Sequence, residues 1–249
     1  MIRKILSGFL VGFALMGVIN GTIALSDRLL IAGGMIILAI LIWPRKKKET
    51  PQTKKQTQAP TLDDLISRNG FQILRSDIAV KRIHEGYVAF DLETTGLDYH
   101  TDEIIEIGAV KVRNGEIIDT FESLVRPKRS IPEEATKINH ITDEMVQDPP
   151  AFWEVIPKFL EFVGDDTLAA HNVKFDYSFL CTTCLRINGG IECPHVYMDT
   201  LAISRWKWPD LQNHKLGTVA KRIKYKPENA HRALADAMTV HAILQAAEK

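Results

Sequence analysis

Cysteine is scarce in this 249-residue chain, which holds only Cys181, Cys184 and Cys193. Three cysteines do not suggest a disulfide scaffold; they fit a reducing compartment, with the thiols used as small core residues. Net charge is also missing, since 31 basic side chains face 31 acidic ones. That balance hides a split. Residues 1–60 take nine of the basic side chains and two of the acidic ones, leaving 22 and 29 to residues 61–249, a net −7. A segment of that charge does not hold polyanions by broad electrostatic attraction. The length admits one large domain, or a smaller one with accessory segments.

Apolar residues are present in ordinary amount but unevenly spread. Residues 5–25 are apolar except for Ser7, Asn20, Thr22 and glycines, residues 29–43 are apolar throughout, and only Ser26, Asp27 and Arg28 separate the two runs. A bilayer needs about 20 such residues; the first run meets that length and the second sits at its short end. Arg3 and Lys4 precede the first run and Arg45 to Lys48 follow the second. The positive-inside rule then predicts a transmembrane helical hairpin over residues 1–44 with both ends in the cytoplasm and Trp43 at an interface. The competing reading is a cleaved signal peptide with Thr22-Ile23-Ala24 as its processing site, the second run then stopping transfer. Either way the expected location is the membrane, with the globular domain on the cytoplasmic side. Residues 45–60 (RKKKETPQTKKQTQAP) have no apolar period and read as a flexible basic tether. Its lysines would lie against anionic headgroups, making membrane lipids a partner of residues 1–48. A short helix at residues 61–67 falls within the same segment (45–84), ahead of a domain over residues 85–249.

That domain is organised around FDLETTGLD, residues 90–98. Strand side chains alternate, so Val88, Phe90 and Leu92 face one side and Asp91 and Glu93 the other. Two like charges at the end of a buried strand repel and resist desolvation unless a cation compensates them. The plain alternative is a solvated acidic strand tip. Besides this strand (87–93), the pattern predicts strands at 103–112 and 117–125 joined through Arg113-Asn114-Gly115-Glu116, Asn-Gly being a strong hairpin signal. Further strands are predicted at 167–170 and 196–198. Helices are predicted at 132–138, 143–147, 152–163, after residue 176 through Arg186, and at 216–222 and 233–247. Pro157 is expected to kink or shorten its helix. A hairpin followed by alternating helices and strands implies an α/β fold, a mixed five-stranded sheet with helices on both faces.

Two more stretches align with the first. HNVKFD (171–176) closes on Asp176 just past a strand, where α/β sites tend to lie, although alone such an Asp reads as a helix N-cap. HRALADA (231–237) places His231 and Asp236 five residues apart. On one continuous helix they would point about 140° apart. They can share a site only if His231 sits on the loop or first turn and Asp236 on the helix.

In this order, FDLETTG, HNVKFD and HRALADA resemble the three exonuclease motifs of the DnaQ-like (DEDDh) 3′–5′ exonucleases, a family that includes polymerase proofreading domains. The resemblance covers residues 86–249, and His231 in place of a tyrosine selects the His-type branch. It implies an RNase H-like fold and hydrolysis of DNA or RNA from the 3′ end, releasing 5′-mononucleotides. It further implies that Asp91, Glu93, Asp176 and Asp236 hold two divalent cations, Mg²⁺ or Mn²⁺, with His231 completing the catalytic set. By the same resemblance Thr94, Thr95, Gly96 and Leu97 hold the 3′ nucleotide, helped by Asn172 and Phe175.

The chemistry suits these residue types. Phosphodiester hydrolysis needs charge neutralised on both the attacking and the leaving oxygen, which two hard cations about 3.5–4 Å apart provide. Carboxylates are the right ligands for such ions. Imidazole, which titrates near neutral pH, suits proton removal from the attacking water. The implied partner is single-stranded or 3′-ended nucleic acid, DNA or RNA. No polymerase domain is present, and a polymerase or repair partner stays open. The non-enzymatic alternative is an end-binding or scaffold module on the same fold; such a module tolerates loss of a ligand, and here none is lost. An RNase H-type endonuclease is disfavoured by the intact HRALADA. Cys181-x2-Cys184 with Cys193-x-His195 offers four zinc ligands. However, Cys181 and Cys184 fall in a predicted helix (FDYSFLCTTCLRI) whose apolar stripe would bury them.

Overall fold

The alternating strand is the centre of the sheet. In the computed structural model, which describes residues 70–187, 190–194 and 196–249, the elements begin with β1 (Gln72–Ile73), α1 (Ser76–Lys81) and a 3₁₀ turn (Ile83–Glu85). Then come β2 (Tyr87–Thr94), β3 (Ile104–Arg113), β4 (Glu116–Leu124), α2 (Glu133–Asn139), α3 (Phe152–Val163) and β5 (Thr167–Ala170). The chain continues through α4 (Val173–Arg186), β6 (Val196–Asp199), α5 (Thr200–Lys207), α6 (Leu216–Arg222) and α7 (Ala233–Glu248). The strands form one sheet in the order β1-β6-β5-β2-β3-β4. β1, β6, β5 and β2 are parallel, while β3 pairs antiparallel with both β2 and β4. The mixed sheet is as expected, but it has six strands, not five. The extra strand, β1, pairs only Gln72 with Val196 and Ile73 with Tyr197. Two residues carry no readable alternation, and the β6 edge makes them a strand.

Each face of the sheet buries one parity. Val88, Phe90 and Leu92 pack with Phe159 of α3 and Tyr177 and Leu180 of α4. Tyr87 and Ala89 pack on the other face with Ile203 of α5, Val240 and Leu244 of α7, and Ala79 of α1. Fully burying a Leu, Ile or Phe contributes about 1.5–3 kcal/mol. A one-residue slip of β2 would exchange Phe90 with Asp91 and lose several such terms. The register therefore commits Asp91 and Glu93 to the α7 face.

Local signals explain much of the rest. Asn114 and Gly115 sit at φ 51° and 79°, as a two-residue hairpin turn requires. α3 runs unbroken through Pro157. The carbonyl that Pro157 cannot serve belongs to Trp153 in the first turn, a half-exposed residue beside solvent. Residues 143–147 form a turn instead of a helix, and the Asp143 carboxylate accepts the Ile131 N–H at 2.8 Å. Residues 72–84, read from sequence as part of the segment ahead of the domain, place fully buried Ala79 and Ile83 against the sheet.

Two expectations are corrected. Cys181 and Cys193 form a disulfide with Cα atoms 5.5 Å apart, leaving Cys184 as a buried free thiol. The chain thus does use a disulfide, and two of the four potential zinc ligands, already disfavoured from sequence, are bonded to each other; His195 lies outside the described residues. The membrane location is also overturned: among the described residues no helix is long and apolar enough to cross a membrane. The predicted hairpin, the basic tether and the helix at residues 61–67 lie outside the described residues.

Candidate active site

β2 outruns its neighbour. Its pairing with β5 ends at Ala89–Ala169, whereas its pairing with β3 continues to Thr94. Residues 90–94 therefore have strand backbone on one side only, and their outward N–H groups need other partners. Asp176, in the first turn of α4 and buried, takes the Leu92 N–H as well as its own. This bond carries Asp176 over the end of β5 to the stretch of β2 between Asp91 and Glu93. α4 is aimed by Asn172, in the left-handed conformation at φ 66°, whose N–H donates to Asp199 Oδ1 at 3.0 Å. The same oxygen accepts Leu201 N–H at 3.0 Å, so one carboxylate ties the start of α4 to the start of α5.

The third wall comes from α7. Cross-strand partners share a face, and the register pairs Asp91 with Gly108 and Glu93 with Glu106. At Gly108 a Cβ would lie 2.0 Å from the Leu234 nitrogen and 2.2 Å from the Ala233 carbonyl carbon. Only glycine lets the helix start rest directly on β3. Asp236, one turn into α7, then joins Asp91 and Glu93, with one oxygen of each lying within 4.8 Å of the others. His231 stands before the helix at φ 66°. It is exposed, and its N–H donates to the Asp236 carboxylate. The loop-then-helix arrangement that the spacing demanded is the one found.

Electrostatics mark this cluster as strained by like charge. Asp91 is pushed well above the usual carboxylate range by desolvation, then by Asp176, Asp236, Glu93 and Glu106. Desolvation followed by Asp236 and Glu106 raises Glu93 to about 8, although the Asn139 amide donates to it and pulls the other way. Asn139 is buried at the end of α2 and also accepts the Ile141 N–H at 3.0 Å. Asp176 is raised to about 8, again chiefly by desolvation. Asp236 is raised by desolvation and moderated by His231. No lysine or arginine among the described residues forms an ion pair with any of the four. Hard oxygen donors crowded together without a counter-charge fit divalent cations of the Mg²⁺ or Mn²⁺ kind.

The expected substrate residues divide. Thr94 and Thr95 are buried, with hydroxyls engaged inside their own loop: Thr94 Oγ1 donates to the Gly96 carbonyl at 2.6 Å and Thr95 Oγ1 to Asp102 at 3.2 Å. Gly96 lies so close to Asp102 that a Cβ would meet its Oδ2 at 2.4 Å. Arg129 pairs with Asp102, and Arg186 of α4 donates to the Tyr99 and His100 carbonyls at 3.1 and 2.7 Å. This bracing leaves Leu97 at the loop apex, 84% exposed. Asn172 is exposed, and Phe175 is half-buried against Phe179. Sequence reasoning missed Glu106, Gly108, Asn139, Asp199 and Arg232. A glycine inside an apolar strand was the one readable signal among them.

Comparisons with known proteins agree with this geometry. The sequence model of a family described as Exonuclease (RNase_T) matches residues 88–244. DNA polymerase III PolC-type of Clostridium perfringens (strain 13 / Type A) is 45% identical over 159 residues, 64% of this chain and 11% of that one. The Bacillus subtilis (strain 168) protein of the same name is 41% identical over 152 residues, 61% of this chain and 11% of that one. The chain therefore spans about a tenth of the length of these curated relatives. Among solved structures, Exonuclease X in complex with 5′ overhanging duplex DNA is 30% identical, with a TM-score of 0.54, covering 65% of this chain and 90% of that one. E. coli Exonuclease I in complex with a dT13 oligonucleotide superposes with a TM-score of 0.57 over 63% of this chain and 39% of that one. At 17% identity it shows a shared fold alone.

Proposed function

Because this chain belongs to the exonuclease (RNase_T) family, whose DnaQ-type members are hydrolases, we propose that it is a metal-dependent 3′–5′ exonuclease that releases 5′-mononucleotides from the 3′ end of DNA. The observation that carries the reading is the meeting of Asp91, Glu93 and Asp236 within 4.8 Å, with Asp176 bonded to the backbone between the first two. These four side chains would hold two divalent cations, Mg²⁺ or Mn²⁺. When bound, such ions neutralise charge on the attacking and leaving oxygens of a phosphodiester.

The chain's own groups supply the rest. His231, tethered to Asp236 through its backbone N–H, takes the proton from the attacking water. Its exposed position on a loop lets the imidazole reach a substrate that the buried carboxylates cannot approach from behind. Leu97 meets the terminal base, and Asn172 and Phe175 line the same edge. Thr94 and Thr95 act by shaping the loop through their internal hydrogen bonds. DNA is preferred over RNA because the similar proteins named above are DNA polymerases and an exonuclease bound to duplex DNA with an overhang.

The test is a digestion of matched 5′-labelled DNA and RNA oligonucleotides with Mn²⁺, with Mg²⁺ and with chelator. Stepwise shortening of DNA from the 3′ end, stopped by chelator and by Asp91→Asn, supports the proposal. Internal cuts, or chelator-resistant activity, would sink it.

A further inference from the structure

Glu106 is the carboxylate at this site with no assigned task. It is fully buried and directly opposite Glu93 in the β2–β3 ladder. A buried carboxylate beside three others looks like a further cation ligand, yet its oxygens are already committed. Arg232 Nε donates to Oε1 at 3.0 Å and to Oε2 at 3.1 Å, and Nη2 also pairs with Oε1. Oε2 additionally accepts the Ala233 N–H, the first of α7, at 2.9 Å. A carboxylate receiving a guanidinium fork and a helix N-terminal N–H is stabilised on both counts.

Arg232 is the point of leverage. It lies between His231 and Ala233, and its carbonyl accepts the Asp236 N–H at 3.0 Å. Its Nη2 also lies 3.9 Å from Glu122 of β4, which faces Gly108 across the ladder. The residue before it holds the candidate general base, and the turn after it holds a candidate cation ligand. Fixing Arg232 on β3 therefore fixes both relative to β2.

We propose that Glu106 and Arg232 form a positioning clamp, in which Glu106 holds no cation and instead locks the His231–Asp236 segment in register with Asp91 and Glu93. The clamp rests on the exonuclease reading for its catalytic consequence, but not for its geometry. A buried ion pair that locks a turn gives one arrangement, where an apolar contact would permit sliding by part of a turn.

The experiment is a double-mutant cycle in the full chain with Glu106→Gln, Arg232→Lys and both together. Turnover and KM are read on a labelled single-stranded DNA oligonucleotide, and Mn²⁺ binding is read by calorimetry. Each single variant is expected to lower kcat about 10–100-fold, the usual cost of removing a partner that orients metal ligands, with KM within about threefold. The double variant should be no worse than the poorer single one. Mn²⁺ stoichiometry should stay that of the wild type, with affinity lowered about tenfold. Additive losses overturn the clamp, as does a lowered melting temperature with unchanged kcat. Loss of one bound Mn²⁺ in Glu106→Gln makes Glu106 a ligand and also overturns it. If Glu106→Gln does not fold, Arg232→Lys, which keeps the charge on a part-exposed residue, carries the same readouts. Should the wild type leave the oligonucleotide intact, the exonuclease reading fails, and the Mn²⁺ affinity cycle alone still decides the clamp.

Discussion

The two ends of the β2–β3 ladder treat carboxylates in opposite ways. At the end where β2 begins, Asp166 accepts two bonds of 2.7 Å from Arg113 Nη2, with Lys111 Nζ 3.4 Å away. That acid is neutralised by the chain itself, and the cluster reads as a structural tie between β3 and the turn before β5. At the end where β2 finishes, desolvation raises Asp91, Glu93, Asp176 and Asp236, the charges of Asp176 and Asp236 push Asp91 and Glu93 higher still, and the Arg232 guanidinium is paired with Glu106. The same residue type is thus completed by the chain's own cations at one end and left without a counter-charge at the other. Charge compensation, more than acid count, separates a structural cluster from a site.

The sharpest way to break this contrast is to neutralise one carboxylate at each end. Asp91→Asn should reduce turnover to the floor of an end-labelled digestion assay and lower the Mn²⁺ bound in calorimetry. Asp166→Asn should leave turnover within about twofold while costing about 1.5–3 kcal/mol in urea unfolding, as for hydrogen bonds to a charged group. If Asp166→Asn stops digestion, the two ends are not functionally distinct.

Next in size is the loss of the exposed imidazole. His231→Ala is expected to lower kcat about 10²–10⁴-fold, the usual share of a general base, with Mn²⁺ stoichiometry unchanged. A loss of bound Mn²⁺ equal to that of Asp91→Asn would make His231 a ligand.

The contrast also predicts opposite responses to chelator and pH. Glu93 and Asp176 have folded pKa values raised to about 8, against about 4 in an unfolded chain. The folded state binds these protons more tightly, so the stability they contribute is fully present below about pH 4 and is lost as pH rises toward about 8. In chelator the melting temperature should therefore fall across this window, and Mn²⁺ should remove the fall. A chelated protein whose melting temperature is flat from about pH 5 to about pH 8 would mean that the four acids are already compensated.

The smallest effect belongs to the loop apex. Leu97 is 84% exposed, so Leu97→Ala should leave the melting temperature unchanged. Losing about 1 kcal/mol of apolar contact with the terminal base raises KM about fivefold. An unchanged KM would take Leu97 out of the substrate site.

Local patterns carried most of this fold. Alternation through Tyr87–Thr94, the Asn114-Gly115 turn and the short apolar runs before Asp176 and Asp199 each reflect interactions between near neighbours, and those elements stand where they were expected. The failures share another cause. β1 exists only because β6 offers an edge, and the Cys181–Cys193 disulfide forms because α4 and the approach to β6 bring the two Cα atoms within 5.5 Å. The turn at residues 143–147 closes on Ile131, twelve residues back from Asp143. None of these partners is visible in a local window.

At the candidate site the division is the same. Strand parity singled out Asp91 and Glu93 from sequence alone, the resemblance of HNVKFD and HRALADA to exonuclease motifs singled out Asp176, His231 and Asp236, and the spacing of the last two required a helix to begin between them if they were to share a site. Only the tertiary structure decided that these groups meet. Gly108 permits the start of α7 to rest on β3, the Leu92 N–H beyond the end of β5 draws Asp176 across, and Glu106 grips Arg232. Each depends on pairing distant segments, whose ordering entropy is repaid only when the sheet and both helix layers form together.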